Sequence, residues 1–266
     1  MTTGLAGRVA LVTGASRGIG FAIVRALQEE GVRVAALARG DAALKAAGEK
    51  LPKQGDSELL LLSADVTDSK SVQWAVEQAR SWGGQLDIVV NCAGPQLTPS
   101  PLAQTPDSVI ADYLDVKLLG FHRVAAAALP LLSDSGSGRI INVAGQTART
   151  LVPNAGVTGI ANAAVIAFTS YLASEAAARN VLVNAISPGM TLTEGWLGKH
   201  EAMAEQQGKT AEQVRDAMTA GAGIRLGRWA QPEEVAKSVV FLASDLACYM
   251  TGRVLEVDGG LSKSVA

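Results

Sequence analysis

Cysteine and histidine are both scarce in this chain. Cys92 and Cys248 are its only thiols and His122 and His200 its only imidazoles in 266 residues. Two such distant cysteines cannot form a disulfide framework, and the spacing suits no zinc site, so no metal is expected. Charge of one sign is lacking too: the formal net charge is −2. No basic field points to a nucleic acid or an anionic membrane as partner. Long apolar runs are missing, since Val124–Leu132 is interrupted by Pro130 and is too short to span a bilayer. No basic-then-apolar leader opens the sequence. A reducing, cytoplasmic setting is expected. What is abundant is apolar side chain, 48% against 18% charged. That balance predicts a large buried core and a buried subunit interface.

Short β-branched runs alternate with longer alanine-rich stretches. Strands are predicted at 9–13, 32–38, 59–62, 86–91, 140–143, 181–186 and 254–257. Helices are predicted at 19–30, at 41–51 with Pro52 as its stop, and at 69–82. Further helices are expected at about 106–117, 118–132, 156–178 and 231–243. This alternation implies an α/β fold: one doubly wound, Rossmann-type parallel sheet of about seven strands, with helices on both faces. No repeat or linker divides residues 1–266, so one domain is expected. Residues 190–225 read as an inserted loop-plus-helix flap.

Gly14, Gly18 and Gly20 fall between the first strand and the first helix, together with Ser16, Arg17 and Ile19. A side chain at these glycines would keep the backbone away from a pyrophosphate. The helix start offers free N–H groups and positive partial charge to the phosphates.

The segment from Thr13 to Gly20 resembles the glycine motif of the classical short-chain dehydrogenase/reductase family. Asn91-Cys92-Ala93-Gly94 is similar to its Asn-x-Ala-Gly motif, and Asp65-Val66 to its adenine-contacting pair. The run from Val183 through Pro188-Gly189, followed by Thr191 and Thr193, resembles the segment leading to the nicotinamide. Leu226-Gly227-Arg228, Pro232-Glu233-Glu234 and Val257-Asp258-Gly259-Gly260 match its closing motifs. The resemblance covers essentially the whole chain. It implies a nicotinamide nucleotide held by Gly14, Ser16, Arg17, Gly18, Ile19, Gly20, Asp65, Val66, Asn91, Ala93, Gly94, Pro188, Gly189, Thr191 and Thr193. Ala38, at the end of the second strand, offers no carboxylate to ribose hydroxyls, whereas Arg39 and Arg17 suit a 2′-phosphate. NADP(H) is therefore expected over NAD(H).

The family moves hydride between nicotinamide and a carbonyl or alcohol carbon, with Tyr as acid/base, Lys tuning it, Ser on the substrate oxygen and Asn on a water. Aligned without gaps through Asn162–Glu175, the resemblance puts Thr158 at the Tyr position and Asn162 at the Lys position. Gly145 falls at the Ser position and Lys117 at the Asn position. All four roles are substituted. Thr cannot ionise usefully near neutrality, Gly145 has no donor, and Asn162 has no charge. Tyr113-Leu-Asp-Val-Lys117 is a literal Tyr-x-x-x-Lys, but it lies before the fifth strand and reads as a Tyr packed near a Lys stem. Lys117 itself has two readings, a snorkelling surface Lys or an inward ammonium that binds ribose or donates a proton. Gln146 and Thr147 are further polar candidates. His122 is expected on a helix surface or at an interface, and His200 in a mobile flap.

Trp196 and Met203 make the flap apolar and predict a partly apolar small-molecule substrate. The small-residue helices 118–132 and 161–178 predict a homo-oligomer, a dimer or tetramer, or pairing with an active homologue. Three activities stay open: an unorthodox NADP(H)-dependent oxidoreductase, a silent or sensing pseudoenzyme, and a non-redox lyase, isomerase or cyclase.

Overall fold

In a computed structural model, residues 2–51, 58–95 and 99–262 are described. Pro52, the expected stop of the second helix, lies outside them. Seven strands form one sheet: β1 (Val9–Thr13), β2 (Arg33–Ala38), β3 (Leu59–Ser63), β4 (Ile88–Asn91), β5 (Arg139–Val143), β6 (Leu182–Pro188) and β7 (Val254–Val257). Their spatial order is β3-β2-β1-β4-β5-β6-β7 and every pairing is parallel. Continuous runs such as Val9-Ala-Leu-Val-Thr13 suit strands covered on both faces, and all five of those residues are buried.

Helices α1 (Gly18–Glu29), α2 (Asp41–Lys50) and α3 (Ser69–Gly83) follow the first three strands. Asp68 caps α3 by accepting from the Lys70 and Ser71 amides, and Gly84 ends it in the left-handed region at φ 74°. Beyond β4 come α4 (Asp107–Leu114) and α5 (Gly120–Asp134), and beyond β5 α6 (Gly156–Ala176). The expected break between two helices near residue 117 is instead a π-helical turn over Asp115–Leu119 that joins α4 to α5 without interruption.

The flap after β6 holds two helices, not one: α7 (Glu194–Gln207) and α8 (Ala211–Ala222). The sequence pattern missed α7 because its apolar residues keep no helical period, and Thr210 with Gln213 starts α8 through a capping box. Helix α9 (Pro232–Ala243) precedes β7, with Pro232 in its first turn.

Two cores sandwich the sheet. On one face Ile23, Leu27, Val235, Val239 and Leu242 bring α1 and α9 onto the strands; on the other Val72, Val124, Leu132 and Ala173 bring α3, α5 and α6. Gly156–Arg179 is long and apolar enough by composition to cross a membrane. It packs on the sheet, with Val165, Thr169, Ala173 and Ala176 buried, as a core helix does. The chain reverses winding between β1 and β4, and a crevice opens there at the carboxyl ends of the strands.

Candidate active site

The crevice has a backbone floor at the end of β1. Gly14 and Gly18 sit at φ 69° and 57°, where a side chain is strained. A Cβ on Gly14 would lie 2.9 Å from the Ala93 backbone, and one on Gly20 would run into the Gly14 carbonyl. Thr13 locks this approach: its hydroxyl accepts from the Cys92 amide at 3.0 Å and the Ala93 amide at 3.1 Å. Helix α1 has no acidic residue in its first turn and no side-chain cap. Its Gly18 amide donates instead to a Glu194 carboxylate oxygen at 3.1 Å, reaching in from the flap. The helix start thus draws an anion. Sequence reasoning missed Glu194, which no spacing marks.

Around this floor lie the other expected nucleotide contacts. Ser16 and Ile19 are half-buried at the helix start, and Arg17 is exposed beside them. Arg39 is exposed at the end of β2, with buried Ala38 before it; among the described residues neither Arg17 nor Arg39 has an ion-pair partner. Asp65 accepts from the Thr67 amide and hydroxyl, both at 2.9 Å, and Val66 is buried behind it. Gly94 borders the crevice with Ala93. Asn91 is fully buried at the end of β4 and donates to Asn142 at 2.9 Å; Asn142 donates in turn to Thr169 at 3.0 Å. Pro188 ends β6, and a Cβ on Gly189 would lie 2.7 Å from the Asp258 backbone. Thr191 bonds the Gly189 carbonyl at 3.1 Å, while the Thr193 methyl packs over Gly18. Room for close backbone approach, an anion-drawing helix start and two unpaired guanidinium groups together fit a phosphorylated dinucleotide.

The side wall stands on α6 and the π turn, at the end of β5. Lys117 is buried, not snorkelling: 7% of it is exposed. The π turn swings it inward, where its ammonium donates to the Val143 carbonyl at 2.7 Å and lies 5.2 Å from the Phe121 ring centre. A Cβ on Gly94 would be 3.9 Å from this nitrogen. Burial lowers the Lys117 pKa to about 8, with nearby Cys92 opposing, and burial raises Cys92 to about 11.

Asn162 faces Gly145 across the wall. Its amide nitrogen would lie 2.7 Å from a Cβ on Gly145 and donates to Thr147 at 2.8 Å. The two residues are matched, since the amide fills the room that any side chain at position 145 would need. The Asn162 carbonyl oxygen is buried without a partner, and so is that of Gln146. Two such orphan acceptors suit the hydroxyls of a ligand.

Thr158 lies one helical turn before Asn162 on the same face. Tyr113 is buried among Ile110, Leu114, Val157 and Ala161, and burial raises its phenol pKa, with Thr158 opposing.

His122 is exposed, as expected, with its ring edge toward Phe168. His200 is not in a loose flap. It is 1% exposed on α7, 4.7 Å from the Trp229 ring centre, and Trp196 packs on both. Burial and Arg215 hold its pKa below the usual range.

Residues 14–262 match the family model described as enoyl-(acyl carrier protein) reductase. The chain belongs to the short-chain dehydrogenase/reductase family. Relatives in this family include the 3-oxoacyl-(acyl-carrier-protein) reductase FabG of Vibrio harveyi, 36% identical over 97% of this chain and 98% of its own. The D-threitol dehydrogenase of Mycolicibacterium smegmatis is also 36% identical, over 96% of this chain and 93% of its own. Among solved structures, L-sorbose reductase from Gluconobacter frateurii, complexed with NADPH and L-sorbose, superposes with TM-score 0.95 at 30% identity, covering both chains fully.

Proposed function

We propose that the protein is an NADP(H)-dependent oxidoreductase acting on the carbonyl or alcohol of a small, partly apolar molecule, without a Tyr–Lys pair at 158 and 162. The buried Lys117 ammonium beside Gly94 carries this reading. A cation is kept out of water only where something repays its desolvation. When bound, reduced nicotinamide supplies hydride to the substrate carbon. Lys117 has two protons beyond the one given to Val143, and Asn162 and Gln146 hold free carbonyl oxygens, so the wall can grip ribose hydroxyls from both sides. Arg17 and Arg39 select the 2′-phosphate, in keeping with the NADPH-bound neighbours. The flap residues Met190, Leu192 and Trp196, packed on Ile224 and Trp229, support a partly apolar substrate.

The direct test is NADPH oxidation across a panel of ketoses, simple ketones and 3-oxoacyl thioesters; turnover on none of them would overturn the reading. Arg39→Ala is expected to weaken NADPH about ten-fold and to leave NADH unchanged, because one charge-assisted contact is lost. Neutral Asn162 and bare Gly145 favour a second reading, a silent subunit that binds nucleotide beside an active homologue; tight NADPH binding with no turnover supports it. The protein is further read as a cytoplasmic homo-oligomer, with the exposed Ile160 and Tyr171 of α6 covered by a second copy. A monomer in light scattering would contradict that.

A further inference from the structure

We propose that His200 pins the flap: as a neutral ring it holds α7 against Trp229, and on taking a proton in acid it leaves, loosening the cover of the nucleotide site. The inference rests on the nucleotide reading above and goes beyond it by giving the flap a control.

His200 is 1% exposed. Its ring centre lies 4.7 Å from that of Trp229, nearly perpendicular at 83°, and 5.8 Å from that of Trp196. The two indoles meet edge to face at 5.0 Å. Both belong to an apolar cluster with Met190, Leu192, Met218, Ile224 and Leu261, where the flap helices meet the body. Neither ring nitrogen of His200 has a hydrogen-bond partner, and neither does the indole nitrogen of Trp229. Closure therefore leaves three polar atoms unmet that opening would hydrate, so the closed state is held by a narrow margin. A neutral imidazole tolerates this burial. An imidazolium, with two donors and a charge to desolvate, does not.

Among the described residues no carboxylate acts on the ring to offset a proton. On α8, Arg215 opposes protonation and Asp216 is exposed. On α7, Lys199 turns to the Trp196 ring at 4.8 Å, and Glu201 is exposed. Beside Trp229, Arg228 is engaged by Glu234 at 2.7 Å, and Arg225 lies along Gly260. Next to Leu261, Asp258 accepts from the Gly260 and Ser262 amides. The segment 190–192 carries no charge.

The pin and the nucleotide floor share one helix. Glu194, the first residue of α7, holds the Gly18 amide at 3.1 Å, and His200 stands about 9 Å further along the same axis. Burial holds the imidazole below its ordinary 6.5. Beneath 6.5 the open flap binds more protons than the closed one. Closure is then fully present above that value and weakens as pH falls through the window below it.

His122 is the only other imidazole, so His122→Asn leaves one imidazole proton signal, that of His200. Its midpoint in an NMR titration is expected below the ordinary value. At the same midpoint the tryptophan emission should move to the red as Trp196 and Trp229 meet water. Trp74 and Trp82 stand apart on α3. The rate of NADPH release is expected to rise about ten-fold between about pH 7.5 and about pH 5. His200→Leu keeps an apolar side chain in the cluster and cannot take a proton. It is expected to fold at least as firmly, judged by its denaturant midpoint, and to lose both the red shift and the faster release. An ordinary His200 midpoint, an acid red shift that persists in His200→Leu, or a release rate equally pH-dependent in both proteins overturns the proposal. If NADPH does not bind at all, the nucleotide reading fails by itself, and the NMR and emission titrations still decide whether His200 pins the flap.

Discussion

At the end of β1 the chain meets its crevice through backbone, and at the end of β5 it does so through side chains. The β1 floor is glycine, a helix start without a side-chain cap and one locking Thr13. The β5 wall is Lys117 on the π turn and Asn162 on α6. A backbone contact can be made in only one way, so the residues that permit it stay fixed in type and place. A side-chain group can be supplied from any helix that points the right way. The pair Lys117 and Asn162 illustrates this: a charge on the π turn bonded to Val143 at the end of β5, and an amide on α6 packed against Gly145 two residues further on.

The largest effect expected is on the backbone side. Gly20→Ala would push a methyl into the Gly14 carbonyl. No side chain can swing aside to relieve that contact. Stability is expected to fall by about 3 kcal/mol, and NADPH binding to be lost. Denaturant midpoints and NADPH fluorescence measure the two. Normal NADPH binding in this variant would mean that the floor is not a backbone cradle, and the contrast with the wall would disappear.

On the wall, the sharpest test is the pH dependence of stability in Lys117→Met. The Lys117 amine is held at about 8 in the fold against 10.5 in the open chain. Between those values the unfolded chain binds more protons than the folded one, so parent stability rises with pH across that window. Below pH 8 the full penalty of the buried ammonium is present. Cys92 works the other way, since its thiol is held at about 11 against 9.0, which removes stability as pH climbs past 9. The difference between parent and Lys117→Met reads chiefly the lysine, together with the smaller change its loss makes at Cys92, and its expected amplitude is about 3 kcal/mol over the window. A flat difference would return Lys117 to solvent and leave the wall with no charge.

The two regions also differ in how much of each was legible in the sequence. The seven strands, both helix layers and the glycine floor follow from apolar runs and glycines whose reasons are local. The inward turn of Lys117 does not. It depends on the π turn over Asp115–Leu119, where one extra residue rotates the helix face. Read as two ordinary helices, the same residues leave Lys117 at a bend and Tyr113 on an arbitrary face. Helix α7 and the burial of His200 were hidden for a related reason. The face of α7 is set by Trp229, a residue from another segment, and not by a period of its own.

Glu194 gives the smallest expected effect and the finest division between the two regions, because it is a side chain standing on the backbone side. Its carboxylate takes the Gly18 amide, the group a phosphate would want. The flap and the nucleotide then compete for one donor. Glu194→Gln keeps the length and a carbonyl oxygen but removes the charge. Since a charge at an exposed helix start is worth about 0.3–1 kcal/mol, NADPH affinity is expected to rise about three-fold. The gain should shrink in high salt, which already screens the carboxylate. Weaker binding in Glu194→Gln would reverse the assignment: Glu194 would then grip the seated nucleotide, and the floor would owe part of its hold to a side chain after all.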